Sequence, residues 1–209
     1  MSETGIILAI EAAVAGGSIS LHRSGVEVAS WAGASGPSRA EDLLPAIDAL
    51  LIENGVKREA ISLIAVSAGP GSFTGIRIGL ATSIGLSKGL QLPMATVSIL
   101  KAMAYSSENS PVQCAVPMGR GAVCVQTFTS ANDAPAAIDG PKVIPETELA
   151  GHGRDVQNGR LVIHSGLLEL CRDVPNTIDA GTNLASAIGR YCENAPRVNE
   201  QPIFVSKTF

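Results

Sequence analysis

The stretch "ISLIAVSAGPGSFTGIRIG", Ile61 to Gly79, joins a continuous apolar run to a loop and then to the start of a helical pattern. The short apolar run suits a strand buried on both faces. Between Ser67 and Gly79 stand four glycines, one proline and three hydroxyl side chains. Further on, the pattern predicts a helix over Gly75–Lys88 and a second strand at "PMATV". This β-loop-α-β unit places the chain in the α/β class.

The loop admits two readings. A Walker A cradle needs Lys and then Ser or Thr directly after its last glycine, but Gly75 is followed by Ile76 and Arg77, so that reading fails. A weak anion-binding site at Gly71, Ser72, Thr74 and Gly75 stays open, because backbone N–H groups at a helix start favour negative charge. The structural alternative gives Gly69 and Gly71 backbone angles closed to other residues, with Ser72 or Thr74 capping the helix.

Upstream, "GIILAIEA", "GSISLHRSG" and "VEVASWAG" read as three strands joined by turns that suit antiparallel hairpins. A helix follows over Ser38–Asn54, with Leu43, Leu44, Ile47, Leu50 and Leu51 at the offsets of one face. Ser38 and Glu41 have the spacing of a capping box, and Gly55 suits a left-handed C-terminal position. Pro45 lacks a backbone donor and is expected to bend this helix near Glu41.

Downstream, a third helix, "SILKAMAYSS", runs into "ENSP", where polarity and proline predict a lobe boundary near Asn109. The expected organisation is an N-terminal lobe over 1–108, carrying the glycine loop and two long helices, and a smaller C-terminal lobe over 109–209. In the second lobe "VQCAVPM", "AVCVQTF" and "RLVIHSG" read as strands, 130–141 as a loop, and "NLASAIGRYCEN" as a helix.

The 209 residues are enough to bury roughly 70 % of the unfolded chain's surface. With 45 % hydrophobic and 16 % charged residues and no apolar run of membrane-spanning length, the composition predicts a soluble cytoplasmic protein, neither disordered nor membrane-bound. Cys114, Cys124, Cys171 and Cys192 form no C-x-x-C pair. A net charge of −4 without a basic stripe leaves most of any grip on RNA to a partner. His22, His152 and His164 lack the spacing of a metal site, and His22 is expected to face solvent. Neither Ser72 nor Cys124 has a base placed beside it in sequence, so no catalytic residue, metal or cofactor is assigned.

The Gly75–Lys88 helix carries two small-residue rows, one of Gly75, Gly79, Ser83 and Ser87 and one of Ala81, Gly85 and Gly89. Each interior glycine costs about 0.8–1.0 kcal/mol relative to alanine, which packing must offset. The Gly79 row, flanked by Ile76, Leu80 and Ile84, is the one expected to meet another subunit.

"AGPGSFTGIRIGLATSIGLSKGL", with "LLPAIDALL" and the opening "ILAIEAAVAGGSISL", resembles the bacterial TsaB (YeaZ) family. The resemblance is specific from Ile7 to Ala104 and weak beyond, apart from the closing "PIFVSK". It implies the actin-like/Hsp70/sugar-kinase fold, two related lobes each with a mixed sheet and helices. It implies a non-catalytic subunit that pairs with TsaD, which carries the metal and the transfer chemistry. Their complex adds a threonylcarbamoyl group to adenosine beside the tRNA anticodon, and an ATPase, TsaE, completes the set. On this reading tRNA is met only through the complex, and self-pairing of the isolated chain is open. Family members pair through their first two long helices, which implies an interface at Leu43, Leu44, Ile47, Leu51, Ile76, Gly79, Leu80 and Ser83.

The chain departs from the family pattern at three places. Ile10-Glu11-Ala12-Ala13 stands where relatives have Ile-Asp-Thr/Ser, Ser38-Arg39 where a histidine is common, and Pro117-Met118-Gly119-Arg120 in place of Asp-Ala-Arg. Two other classes remain. A small-molecule kinase or ATPase of the actin-like class needs a carboxylate in each lobe; Glu11 offers the first, but "AVPMGRGAV" offers no second. A homodimeric binding module unrelated to tRNA needs neither a TsaD-like partner nor nucleotide turnover.

Overall fold

The computed structural model describes residues 5–34, 40–105, 107, 111–131, 134–154, 159–194 and 203. The lobe boundary expected near Asn109 and the Ser38 half of the expected capping box lie outside these residues.

The first sheet is built from β1 (Ile6–Glu11), β2 (Ser18–Arg23), β3 (Val26–Ala32), β4 (Ile61–Ser67) and β5 (Met94–Val97). Its order is β3-β2-β1-β4-β5, with β1, β2 and β3 antiparallel and β4 and β5 parallel to β1. Parallel neighbours need a crossover on a sheet face. The helices α1 (Ala40–Glu53) and α2 (Phe73–Leu90) supply these crossovers.

Leu43, Ile47, Leu50 and Leu51 of α1 are buried against Leu8, Ile10, Ile19 and Ile64 of the sheet. Each such side chain contributes about 1.5–3 kcal/mol on burial. The helix runs unbroken through Pro45, which is exposed in its second turn. Its C-terminus is closed as expected: Gly55 has φ 63°, its N–H reaches the Ile52 carbonyl, and Val56 N–H reaches that of Leu51.

The second sheet contains β6 (Val112–Gly119), β7 (Ala122–Ala131), β8 (Ala134–Ala137), β9 (Lys142–Pro145), β10 (Arg160–Ile163) and β11 (Thr177–Asp179). Its order is β11-β10-β6-β7-β8, and β9 pairs with the other end of β7. Taken together, β8 and β9 occupy the place that β3 has in the first sheet, so both sheets have the same strand plan. The stretch 130–141, expected as a loop, therefore holds the strand β8. Neither β9 nor β11 nor the helix α4 (Leu149–Arg154) was legible in the sequence pattern.

Two helices lie between the sheets. Ile7, Ala9, Ala65 and Val97 of the first sheet and Cys114, Val116, Cys124 and Val162 of the second share one core with α3 (Ile99–Tyr105) and α5 (Leu184–Asn194). A T-shaped Tyr105–Tyr191 pair, with ring centroids 5.4 Å apart, ties the two helices together. The outer face of the second sheet is covered by α4 and a 3-10 turn over Ser165–Cys171. The layers thus run helices, sheet, helices, sheet, helices. Although α5 comes after the second sheet, it packs on β1 and β2, and its first turn is capped from there by the Ser18 hydroxyl, which accepts from Ala185 N–H at 2.9 Å.

The buried position of His22, at 1 % exposure, corrects the expectation that it faces solvent. Its strand is covered by the Gly189 segment of α5, with Gly189 standing 167 residues after His22 in the chain.

Candidate functional site

The glycine loop is an elbow seated on the turn after β1. Ser67 Oγ accepts from Gly69 N–H at 3.1 Å, and the Ala68 and Ile99 amides tie the loop to the end of β5 and the start of α3. From the far end of the chain, Ile203 N–H donates to the Ala68 carbonyl at 2.7 Å. The Gly69–Pro70 peptide is cis. Ser72 N–H then donates to the Ala13 carbonyl at 2.7 Å, and Ser72 Oγ accepts from Gly75 N–H at 2.9 Å as the N-cap of α2.

Three glycines allow this close seating. A Cβ on Gly71 would overlap the Ala13 carbonyl, one on Gly75 would overlap that of Ala12, and one on Gly79 would lie 3.4 Å from the Ala12 Cβ and 3.5 Å from Val66. The Gly75–Gly79–Ser83 row therefore faces the chain's own sheet, and all three residues are buried. The other row is the open one: Ala81, Gly85 and Gly89 are exposed, and a Cβ on Gly85 or Gly89 would meet nothing within 4 Å.

This reverses the assignment of the two rows and corrects most of the interface residues expected from sequence. Leu43, Ile47, Leu51 and Ile76 are consumed by the chain's own core, and Gly79 and Ser83 are buried on the inner face of α2. Leu80 is half-buried against that core. Of the eight, Leu44 alone projects outward, at 48 % exposure. Periodicity marks an apolar face but not its azimuth over the sheet, and two helices on one sheet need a wide stripe to cover it.

The outer faces of α1 and α2 carry other apolar groups: Ile52, which the sequence reading passed over, and Ile84, which it placed beside the Gly79 row. Ile52 is 77 % exposed on the same side of α1 as Leu44, two turns along, and Ile84 is 42 % exposed beside the open row of α2. At the start of α2, exposed Phe73 carries the Arg77 guanidinium 4.2 Å above its ring centroid.

Of the expected anion-binding residues, Gly71 and Gly75 are buried against the turn, while Ser72 and Thr74 are exposed. The N–H groups of Ser72, Gly75 and Ile76 are engaged within the chain. Beneath them lies Glu11, 1 % exposed, whose Oε1 accepts from Ala13 N–H at 2.6 Å and Val14 N–H at 2.9 Å. Desolvation pushes this carboxyl up to about 7, against the pull of its two backbone donors. In the second sheet the β6–β7 hairpin turns through Gly119, Arg120 and Gly121, all at positive φ.

Elsewhere Cys114, Cys124 and His164 are buried in the second half of the chain. Burial pushes the Cys114 thiol up and that of Cys124 up to about 12, which disfavours thiolate at either. His164 Nδ1 accepts from Gly166 N–H and caps the 3-10 turn. Among the described residues no group of three or more His, Cys, Asp or Glu side chains is placed to hold a metal, and no helix is long and apolar enough to cross a membrane. Cavities of about 260 Å³ beside α3 and α5 and about 550 Å³ beside Lys57 have none of the loop residues in their walls.

With this geometry in view, the chain matches the family model of TsaD, tRNA N6-adenosine threonylcarbamoyltransferase, over residues 37–158. It is 37 % identical over 101 residues to the tRNA threonylcarbamoyladenosine biosynthesis protein TsaB of Escherichia coli, an alignment covering 48 % of this chain and 43 % of that protein. The aligned part is thus less than half the length of that relative. YeaZ from Pseudomonas aeruginosa superimposes with a TM-score of 0.69 and 24 % identity, over 96 % of this chain and 100 % of that one. Component A of the (R)-2-hydroxyglutaryl-CoA dehydratase of Acidaminococcus fermentans superimposes at 0.55 and 10 % identity, covering 90 % and 97 %. These likenesses and the repeated strand plan identify the fold as actin-like.

Proposed function

Since the chain belongs to the TsaB (YeaZ) side of the TsaD family, whose members serve tRNA threonylcarbamoyladenosine biosynthesis, we propose that it is the non-catalytic pairing subunit of a threonylcarbamoyl-transferring complex. Its partner is a TsaD-like subunit, which carries the metal and the reaction. A TsaE-like ATPase joins the same complex, and tRNA is met through the assembly.

The observation that carries this reading is the outer surface of α1 and α2, where Leu44, Ile52 and Ile84 are exposed beside the open row of Ala81, Gly85 and Gly89. Small residues let a second pair of helices approach closely, and the exposed aliphatic groups supply apolar area for them to bury. Glu11 supports the non-catalytic part. The carboxylate at the end of β1 is 1 % exposed, and its Oε1 holds two amides of its own turn.

The test is affinity purification of the tagged chain from its native cell, with threonylcarbamoyladenosine quantified in tRNA after deletion of the gene. A TsaD-like subunit should co-purify and the modification should fall. Recovery of the chain alone, with the modified nucleoside unchanged in the deletion strain, overturns the proposal.

A further inference from the structure

We propose that Glu11 is the positioning residue for α2, setting the direction of the proposed pairing helix through Ala13 without touching the partner. The path is contiguous. Glu11 Oε1 holds the N–H groups of Ala13 and Val14; the Ala13 carbonyl holds Ser72 N–H; Ser72 Oγ holds Gly75 N–H. Steric contact runs along the same line, because the Gly71, Gly75 and Gly79 surfaces rest on Ala12 and Ala13 with no room for a Cβ at the first two. A turn that shifts at Ala13 must therefore shift the first turns of α2.

The buried carboxylate needs such a role to be understood. A group 1 % exposed whose pairing oxygen accepts from two backbone donors within its own turn is held in place as a local acceptor, and the Ala13 amide would lose its partner without it. In this chain, the residue at the end of β1 thus acts as a staple for the turn on which α2 sits.

The test uses amide exchange on the whole chain, followed at single residues. In Glu11→Ala, and in Glu11→Met, which restores volume but no acceptor, exchange at Ser72, Gly75 and Ile76 should rise about tenfold while β5 and α5 keep wild-type protection. Glu11→Gln, which retains the acceptor oxygen, should restore wild-type exchange. Unchanged exchange at Ser72 and Gly75 in a folded Glu11→Met, or a uniform rise across the chain, overturns the proposal.

Should both apolar variants fail to fold, the wild type still decides. In denaturant-dependent exchange the Ala13, Val14, Ser72, Gly75 and Ile76 amides should open as one unit, and separate openings refute the coupling. The binding consequence rests on the proposed function: affinity for the TsaD-like subunit should fall about tenfold in Glu11→Ala and return in Glu11→Gln. A wild type that binds no such subunit counts against the proposed function alone, since the exchange results stand without it.

Discussion

His22 and Gly189 fit together in the core so closely that a Cβ on Gly189 would overlap the imidazole ring. Here β2 and α5 meet. Glu27 Oε2 lies 3.9 Å from Nε2 of the ring and Glu193 Oε2 lies 3.9 Å from Nδ1, so carboxylates from β3 and α5 flank it on both sides. Gly189→Ala is expected to destabilise the isolated chain by about 1–3 kcal/mol, as overpacking of a filled core does. Gly85→Ala, in open space on an exposed helix, should instead stabilise by up to about 1 kcal/mol. Chemical denaturation of the two variants side by side checks both signs.

The same histidine makes stability depend on pH. Burial holds His22 below its usual 6.5, with Glu193 and Glu27 pulling it up and Arg190 adding to the depression. The unfolded chain then binds the proton more readily than the folded one, so this group's contribution is full above pH 6.5 and is lost as pH falls toward its folded value. An NMR titration should find the His22 midpoint below 6.5, with the ring mostly neutral at that pH, and a midpoint at or above it contradicts this.

Glu11 has the opposite sign. Its folded value of about 7 exceeds the ordinary 4.5, so the folded state binds the proton more tightly. Its contribution is greatest below pH 4.5 and is lost as pH rises through 7, a change on the order of 3 kcal/mol. Glu11→Gln should therefore lack this part of the pH dependence and gain on the wild type between pH 5 and pH 8. Parallel stability curves for the two proteins across that range would falsify the assignment.

Inner and outer rows of α2 should separate stability from pairing. Gly79→Leu must force a large side chain toward Ala12 and Val66, and the melting temperature of the isolated chain should fall accordingly. Ile84→Asp, on the outer face, should stay within about 0.5 kcal/mol of wild type in stability yet fail to retain the TsaD-like subunit. Loss of retention with a melting temperature lowered as much as in Gly79→Leu would remove the distinction between the faces.

What the sequence displays is local order. Runs such as "IILAIE" and "ISLIAVS" announce strands by composition, and Ser72 and Gly55 mark helix ends by their capping chemistry. The rows on α2 were also visible, but spacing along a helix does not tell which row turns inward. That depends on where Ala12 and Val66 lie in three dimensions. For His22, alternation along β2 gave no warning, because both faces of that strand are covered and the second cover comes from α5. The missed strands β8, β9 and β11 are three or four residues long and hold too few apolar side chains to show a period.

The return of α5 to the first sheet has a consequence for synthesis on the ribosome. The inner face of that sheet, with Ile7, Ala9, Ala65 and Val97, shares its core with helices from both halves of the chain. When β5 has been translated, the cover from Leu184, Ala185 and Ile188 is still about ninety codons away, roughly 4–18 s at ordinary elongation rates. During that interval the nascent chain presents an apolar face that lacks the cover of α5, the period in which a chaperone has most to bind. The first sheet reaches its native burial only when nearly the whole chain has emerged.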